Sequence, residues 1–419
     1  MSHYKPYPAY KDSGVEWLGQ VPEHWTIGPY KATIQIENGS DYKEVESDDG
    51  YPVIGSGGPF AYSSKRMYDG ESVLLGRKGT IDKPLYVNGA FWAVDTMYWS
   101  IIKPGAHGRF AYYIATTIPF DMYSTNTALP SMTKSVLGSH LVAFPGFEEQ
   151  QVIANHLDRE TARIDALVAK KTRFIELLRE KRQALITHAV TKGLDPNVKM
   201  KDSGVEWLGE VPEHWEVKRL KFVATVQTGI AKGKDNADKD TVEIPYLRVA
   251  NVQDGYLDLD EVATLEVSSA DLSRYLLQPG DVLMNEGGDF DKLGRGHVWH
   301  GQIDPCIHQN HVFAVRPHSV RPEWLNAYTS SSAAQFYFMG RSKQSTNLAS
   351  ISSSNLMELP VPLPGDDEQC QILQAVQERA SRLDGLLAKT NRSIVLLKER
   401  RAALVTAAIT GQIDLREAV

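Results

Sequence analysis

Five side chains able to bind a metal fall within the fifteen residues from 297 to 311: His297, His300, Cys306, His308 and His311. Cys and His at such spacings can hold tetrahedral zinc. One Cys among four His is an unusual structural set, however, and the first half of the chain has no counterpart. The stretch His308-Gln309-Asn310-His311 also reads as a loop or strand rich in groups that can hydrogen-bond base edges. No metal site is therefore expected. Signatures of catalysis are missing elsewhere. The nearest approach to a phosphate loop, Gly229 to Lys234, has the wrong spacing and is followed by Asp235. No Asn-Pro-Pro-Tyr-like motif for amino-group methylation occurs, and neither G-x-S-x-G nor H-E-x-x-H is present. Paired carboxylates lie mostly on helical segments, where a solvated face explains them. No residue is nominated as catalytic, and the chain is not expected to be an enzyme.

The chain that must position these groups has 419 residues, enough for two to four structural units. Its composition, 42% hydrophobic and 23% charged, is globular, which excludes long disorder. Two cysteines cannot build a disulfide framework, which fits a reducing compartment. The Met1 to Pro6 start has no apolar core like that of a secretory signal, and no run of ~20 apolar residues suits a membrane span. A cytoplasmic protein is expected. With 45 Lys+Arg against 52 Asp+Glu, the net charge of −7 argues against a sequence-blind polyanion binder. It leaves room for local basic loops, or for a ligand shared with a more basic partner.

Two repeats organise the sequence. Lys11 to Trp25 reads KDSGVEWLGQVPEHW, and Lys201 to Trp215 reads KDSGVEWLGEVPEHW, an offset of 190 (201 − 11) with only Gln20 and Glu210 unlike. Invariant Trp17, Trp25, Trp207 and Trp215 suit packing, while the whole motif could also present one partner surface twice. A second repeat relates Glu148–Asp195 to Asp367–Asp414 at an offset of 219 (397 − 178 for Leu178 and Leu397). The second intervening segment is thus longer by 29 residues (219 − 190). The later repeats read as helices. Leu157, Ile164, Leu167, Phe174, Leu178 and Leu185 recur at spacings of three, four and seven, and Val376, Leu383, Leu386, Leu397 and Leu404 take equivalent places. That is a coiled-coil seam. A helix of about 44 residues would run ~66 Å, with Gly193 and Gly411 closing its C-terminal end in the two copies.

The intervening segments, 26–147 and 216–366, read as α+β, with short β-branched and aromatic runs cut by Gly, Pro and Asn. Asp69–Thr80 loosely matches Pro279–Gly296, so the segments share a scaffold and differ in loop chemistry. The expected architecture is α+β: two globular lobes joined by two long helices paired as an antiparallel coiled coil. The internal repeat is pseudo-two-fold and cyclic, because TGQID near the C-terminus resembles TKGLD before the second opening motif. The boundaries are 1–147, 148–195, 196–366 and 367–419.

This arrangement, over essentially the whole chain, resembles the specificity (S) subunits of type I restriction–modification systems. The doubled opening motif, the doubled heptad helix beginning at Glu-Gln, and the two unlike α+β segments carry the resemblance. It implies that each lobe is a target-recognition domain reading one half of a split, asymmetric sequence in double-stranded DNA. It further implies that the helices set the gap and that the repeated parts dock two modification (M) subunits, with restriction (R) subunits able to join. S-adenosylmethionine would belong to the M subunits, ATP and Mg to the R subunits, and no cofactor to this chain.

Phosphate contacts need Lys, Arg or backbone N–H groups, and base contacts need Arg, Lys, Asn or Gln. On that ground the first lobe offers Lys65, Arg66, Arg77, Lys78, Asn126 and Lys134. The second offers Lys232, Lys234, Arg248, Asn251, Arg295, Arg341, Lys343 and Asn347. Phe60, Tyr62 and Phe290 nearby are read as core. The alternative function is a coiled-coil adaptor that binds proteins and not DNA, which the acidic balance favours.

Overall fold

The computed structural model describes residues 4–123, 131–232, 240–288, 293–345 and 348–416. Two compact units emerge: Met1–Thr172 with Arg392–Val419, and Arg173–Asn391. Among the described residues, no helix is long and apolar enough to cross a membrane.

The first unit opens with an antiparallel pair, β1 (Tyr10–Asp12) and β2 (Gln20–Pro22). β3 (Thr26–Pro29) later pairs with β11 (Leu141–Phe144). Between them lies a seven-stranded sheet of β4 (Ile34–Asn38), β5 (Glu46–Ser47), β6 (Tyr51–Gly55), β7 (Gly58–Ser63), β8 (Tyr68–Gly76), β9 (Leu85–Ala93) and β10 (Met97–Ile102). Its order is β4-β10-β8-β9-β6-β7-β5, and only β6 and β9 run parallel among these pairs. Sequence pattern explains the positions. Ile34 and Ile36 are buried while Gln35 is exposed, the period of a strand with one covered face. Val73, Leu74 and Leu75 are all fully buried, as a central strand covered on both faces requires.

The second unit repeats the opening pair as β12 (Met200–Asp202) with β13 (Glu210–Pro212), and β14 (Glu216–Arg219) pairs with β25 (Pro360–Leu363). Its main sheet is divided. β15 (Ala224–Thr228), β22 (Val312–Pro317), β18 (Val282–Asn285) and β20 (Gly296–Val298) form four strands in that order. β17 (Ala263–Ser268), β16 (Thr241–Leu247) and β21 (Ile307–His308) form three, with β16 parallel to β21. The single strand β9 of the first unit pairs with both β8 and β6; here β20 and β21 share those two duties. A third small sheet joins β19 (Gly287–Gly288), β24 (Leu348–Ser350) and β23 (Lys343–Ser345).

The long helices span Phe147–Lys192 and Asp366–Ile409. Acidic residues fill both first turns, where the helix dipole favours them. Gln150 donates its amide to the Pro145 carbonyl (2.8 Å) and Gln369 to the Pro364 carbonyl (3.0 Å). Past the helix ends, Gly193 and Gly411 have φ of 76° and 71°, the left-handed termination expected of glycine there. In the first unit Ile153, Ala154 and Leu157 of one helix share a core with Leu404, Val405 and Ala408 of the other. In the second unit Ile186, Ala189 and Val190 share a core with Ile372 and Val376.

The two repeated motifs meet as one joint. Glu149 accepts hydrogen bonds from the Trp25 indole (3.1 Å) and the Tyr7 hydroxyl (2.8 Å) and pairs with His24 (2.8 Å). Glu368 accepts from the Trp215 indole (3.1 Å) and pairs with His214 (2.8 Å). Both tryptophans are fully buried, so each indole N–H needs that carboxylate. This accounts for the Glu-His-Trp and Glu-Gln segments being repeated together.

The helix seam differs from the sequence expectation at its centre. A heptad-spaced row of buried or half-buried positions runs along the first helix at 157, 161, 164, 168, 171, 175, 178, 182, 185 and 189, and each has a buried or half-buried mate 219 residues on in the second. Leu167, Phe174 and Leu386 are not among them, being 42%, 45% and 44% exposed. Leu167 and Phe174 stand one position before Val168 and Ile175, which turns them away by about 100°. Counting leucines favoured the bulky residue over the correctly phased one. Lys171 and Thr390, half-buried and buried, hold seam positions that no hydrophobic count would select.

Candidate nucleic-acid interface

Among the nominated side chains of the first unit, Lys65, Arg66, Lys78 and Lys134 are exposed and Arg77 is half-buried. Asn126 lies outside the described residues. Arg66 is paired with Asp69 (2.7 Å) and Lys134 with Glu37 (3.3 Å). The strand β8 divides the set. Lys65 and Arg66 precede its start at Tyr68, and Arg77 and Lys78 follow its end at Gly76. Nine residues of strand put these ends roughly 25–30 Å apart. At the far end, Lys78 bridges to Ser131, and the Met132 amide donates to the Arg77 carbonyl (3.1 Å). The loop that follows β8 is thereby joined to the segment leading to Lys134. The Arg77 amide donates to the Thr96 carbonyl (2.9 Å), and its guanidinium reaches the Asp95 carbonyl (3.3 Å).

The second unit gathers its candidates more tightly. Lys232, Arg248, Arg341 and Lys343 are exposed and Arg295 is half-buried. Lys234 and Asn347 lie outside the described residues. The Asn285 amide, at the end of β18, donates to the Arg295 carbonyl (2.9 Å), and the next amide, of Glu286, donates to the His311 carbonyl (2.9 Å). Asn310 donates its amide to Ile230, two residues before Lys232, and Gln309 donates to Leu247, beside Arg248. Ser350 pairs with both Gly287 and Lys343. Lys232, Arg248, Arg295 and Lys343 thus flank one junction between strands. Asn251 leaves the set: it is 3% exposed, accepts from the Arg248 amide, and donates to the Asp258 and Glu261 carbonyls. It shapes the loop that presents Arg248.

The His and Cys run does not converge. Cys306 is buried, and burial pushes its thiol up to about 12. His308 is fully buried with Nδ1 on the Val312 carbonyl (2.7 Å), and burial pushes its pKa down. His311 points outward and is held through Nδ1 by Glu286 (2.8 Å). Among the described residues, no group of three or more His, Cys, Asp or Glu is placed to hold a metal ion. Phe60 and Tyr62, read as core from sequence, are 57% and 50% exposed on β7. Phe290 lies outside the described residues. Sequence reasoning noted His311 only within the His308–His311 stretch and did not nominate Asp95, Thr96 or Glu286. The signal was present in the match of Asp69–Thr80 with Pro279–Gly296, which sets Arg77 opposite Glu286 when continued past Val73 and Val282.

The type I restriction modification DNA specificity domain matches residues 22–177 and again 212–392. The chain belongs to this family. The EcoKI specificity subunit of Escherichia coli (strain K12) is 22% identical over 433 aligned residues, covering 94% of this chain and 90% of its own. The EcoBI specificity subunit of Escherichia coli is 22% identical, covering 96% and 89%. Among solved structures, a chain from a study of complex assembly and conformational transition of the type I R-M system aligns with a TM-score of 0.70 at 15% identity, covering 94% of this chain and 99% of that one. The HsdS subunit of Thermoanaerobacter tengcongensis aligns at 0.50 and 16% identity, covering 94% and 98%. At such identities the structural matches speak for the fold. Each family match begins within an opening motif, at residue 22 in the first and 212 in the second, so the specificity domain occurs twice in one chain.

Proposed function

We propose that this chain is the sequence-specific DNA-binding subunit of a type I restriction–modification complex, and that it carries no reacting group of its own. The doubled specificity domain carries this reading. Residues 1–147 and 196–366 act as two target-recognition domains, each reading one half of a split asymmetric target. Lys65, Arg66, Arg77, Lys78, Lys134, Lys232, Arg248, Arg295, Arg341 and Lys343 supply contacts to phosphates and bases. S-adenosylmethionine chemistry belongs to the modification subunits.

The two long helices pair antiparallel and set the gap between half-sites. Two ion pairs support this. Arg401 meets Asp165 (2.9 Å) in the first unit, and Arg182 meets Asp384 (3.0 Å) in the second. Going 17 residues forward on one helix (182 − 165) goes 17 back on the other (401 − 384). The partners are also repeat mates at the 219 offset, so each helix offers its Arg to the other's Asp, as a two-fold contact does. Docking of two modification subunits fits the apolar residues left outside the seam. Leu167 and Leu177 are 42% and 46% exposed, and their mates Leu386 and Leu396 are 44% and 53% exposed. The same outward leucines at matched places suit one partner bound twice.

Co-expression with the modification subunit of its system, followed by genome-wide mapping of methylated adenine, tests the reading. A bipartite motif with a fixed gap is expected. Exchanging residues 26–147 for those of a relative should change one half-site alone. A chain that binds its partner yet directs no bipartite methylation would support the adaptor alternative.

A further inference from the structure

Strand register allows residue-by-residue superposition of the two units' cores. In the first unit, β10 pairs Met97 with Gly76 and Tyr98 with both Leu75 and Asn38. In the second, β22 pairs Val312 with Asn285 and Phe313 with both Met284 and Thr228. The equivalences run at offsets of 190 for the entering strand, 209 for β8 and β18, and 215 for β10 and β22. The last repeat stands at 219. The 29 extra residues of the second unit are therefore a net 19, 6 and 4 between these aligned strands, whose mutual register is kept while β9 gives way to β20 and β21.

At the ends of β8 and β18, three backbone hydrogen bonds recur between equivalent atoms. Arg77 N–H donates to Thr96 and Glu286 N–H to His311, each at 2.9 Å. Met132 donates to Arg77 (3.1 Å), and Ile351 to Glu286 (2.9 Å). Met97 donates to Val94 and Val312 to Gln309, each at 2.9 Å. The entering strand is also pressed close in both: a Cβ on Gly39 would collide with the Val94 carbonyl, and one on Gly229 with that of His308. A frame this tight fixes where its outward side chains point. Those side chains are unlike. The first unit has Arg77, Asp95 and Thr96, and the second has Glu286, Asn310 and His311. Of these, Asp95 and His311 are exposed and the other four half-buried.

An identical backbone frame with reversed charge is how a scaffold would read two different bases from one place. Resting on the DNA-binding reading above, we infer that this corner is the base-reading element of each unit, with Arg77 donating to a guanine edge in one half-site and Glu286 accepting from an amino-bearing edge, cytosine or adenine, in the other. An arginine fork matches the O6 and N7 acceptors of guanine in the major groove. A carboxylate matches an exocyclic amino group and is repelled by guanine's acceptors. His311 is a neighbouring reader. Its Nδ1 is held by Glu286 at 2.8 Å, which turns Nε2 outward, where the Asn310 amide lies 3.4 Å away.

The test uses the full chain with its modification partner and maps methylated sites for wild type, Arg77→Lys, Arg77→Gln and Glu286→Gln. The glutamine and lysine variants keep side-chain bulk, and co-purification with the partner reports that they fold. Both Arg77 variants should relax one guanine position in one half-site. Glu286→Gln should relax one position in the other. Discrimination at each position should fall roughly 10- to 100-fold, the range for one bidentate contact. Uniformly weaker methylation of the unchanged motif would assign Arg77 to phosphate and overturn the inference, as would an unaltered motif. Relaxation in both half-sites from one variant would overturn it too. If the wild-type complex itself directs no bipartite motif, the DNA-binding reading fails and this one with it.

Discussion

Glu149 and Glu368 hold equivalent places, yet Glu149 carries more. It accepts from the Trp25 indole and the Tyr7 hydroxyl, whereas Glu368, among the described residues, accepts from Trp215 beside its histidine. Burial and that bond to Glu149 push the Tyr7 pKa up, which keeps the hydroxyl protonated as a donor. Removing either carboxylate strands a buried donor, at about 1–3 kcal/mol per group. Glu149→Ala, which strands two donors, should therefore destabilise the first unit by ~2–6 kcal/mol, and Glu368→Ala, which strands one, the second by ~1–3 kcal/mol. Hydrogen-exchange protection of peptides from each unit would measure both, and equal losses would contradict the accounting. His140 gives a pH-dependent case. It is 4% exposed, stacked on Trp17 (ring centroids 5.0 Å apart), and burial lowers its pKa from 6.5 to about 4. The unfolded chain then takes up the proton first as pH falls. Stability is complete above pH 6.5 and declines between 6.5 and about 4, by on the order of 3–4 kcal/mol at ~1.4 per unit. In His140→Phe that part of the decline should vanish from first-unit peptides. An unchanged pH slope would show that another group is responsible.

The element that matters most is the helix pair, and its phase is testable. Ile175 and Leu178 are 6% and 5% exposed, so Ile175→Ala or Leu178→Ala should cost about 2–4 kcal/mol in denaturant unfolding. The exposed pair Leu167→Ser with Phe174→Ser should cost under about 1 kcal/mol, while reducing co-purification with the modification subunit. A large stability loss from the outer pair would restore those residues to the seam. The helices themselves were legible because a 3.5-residue repeat persists over about thirty positions, from 157 to 189 and again 219 residues on, and because glycine follows each end. The phase was less legible. Lys171 and Thr390, half-buried and buried, hold heptad positions despite their polarity, and leucine lies on the outer face as well. The basic loops were found by residue type, and Arg77, Lys78 and Arg248 do border strand junctions. Asn251 was misread because its bonds to Asp258 and Glu261 form only after the loop closes. Glu286 and His311 are 25 residues apart and meet only through the pairing of β18 with β22. Such partners come from register, which no local pattern encodes.

At the scale of the whole molecule, the proposed helix pair acts as a ruler between two reading units. Adding one heptad to each helix at repeat-matched places, after Ala169 and after Ala388, keeps the seam in phase. Both positions lie between the reciprocal ion pairs, Asp165 with Arg401 and Arg182 with Asp384, so neither pair loses its partner. Seven residues lengthen a helix by ~10 Å. DNA rises ~3.4 Å per base pair, so the unread gap should grow by about three base pairs. Three base pairs also rotate one half-site by roughly a quarter turn, at ~10.5 per turn. DNA twist or helix supercoiling must absorb part of that, and weaker methylation is expected as a result. The two half-site sequences should stay as they are, since neither unit's loops are altered. Insertion into only one helix should instead break the heptad match and lose stability. Methylation mapping of the doubly extended chain decides the matter. A folded, partner-bound variant that still modifies sites with the original gap, and none with a longer one, would show that spacing is set elsewhere.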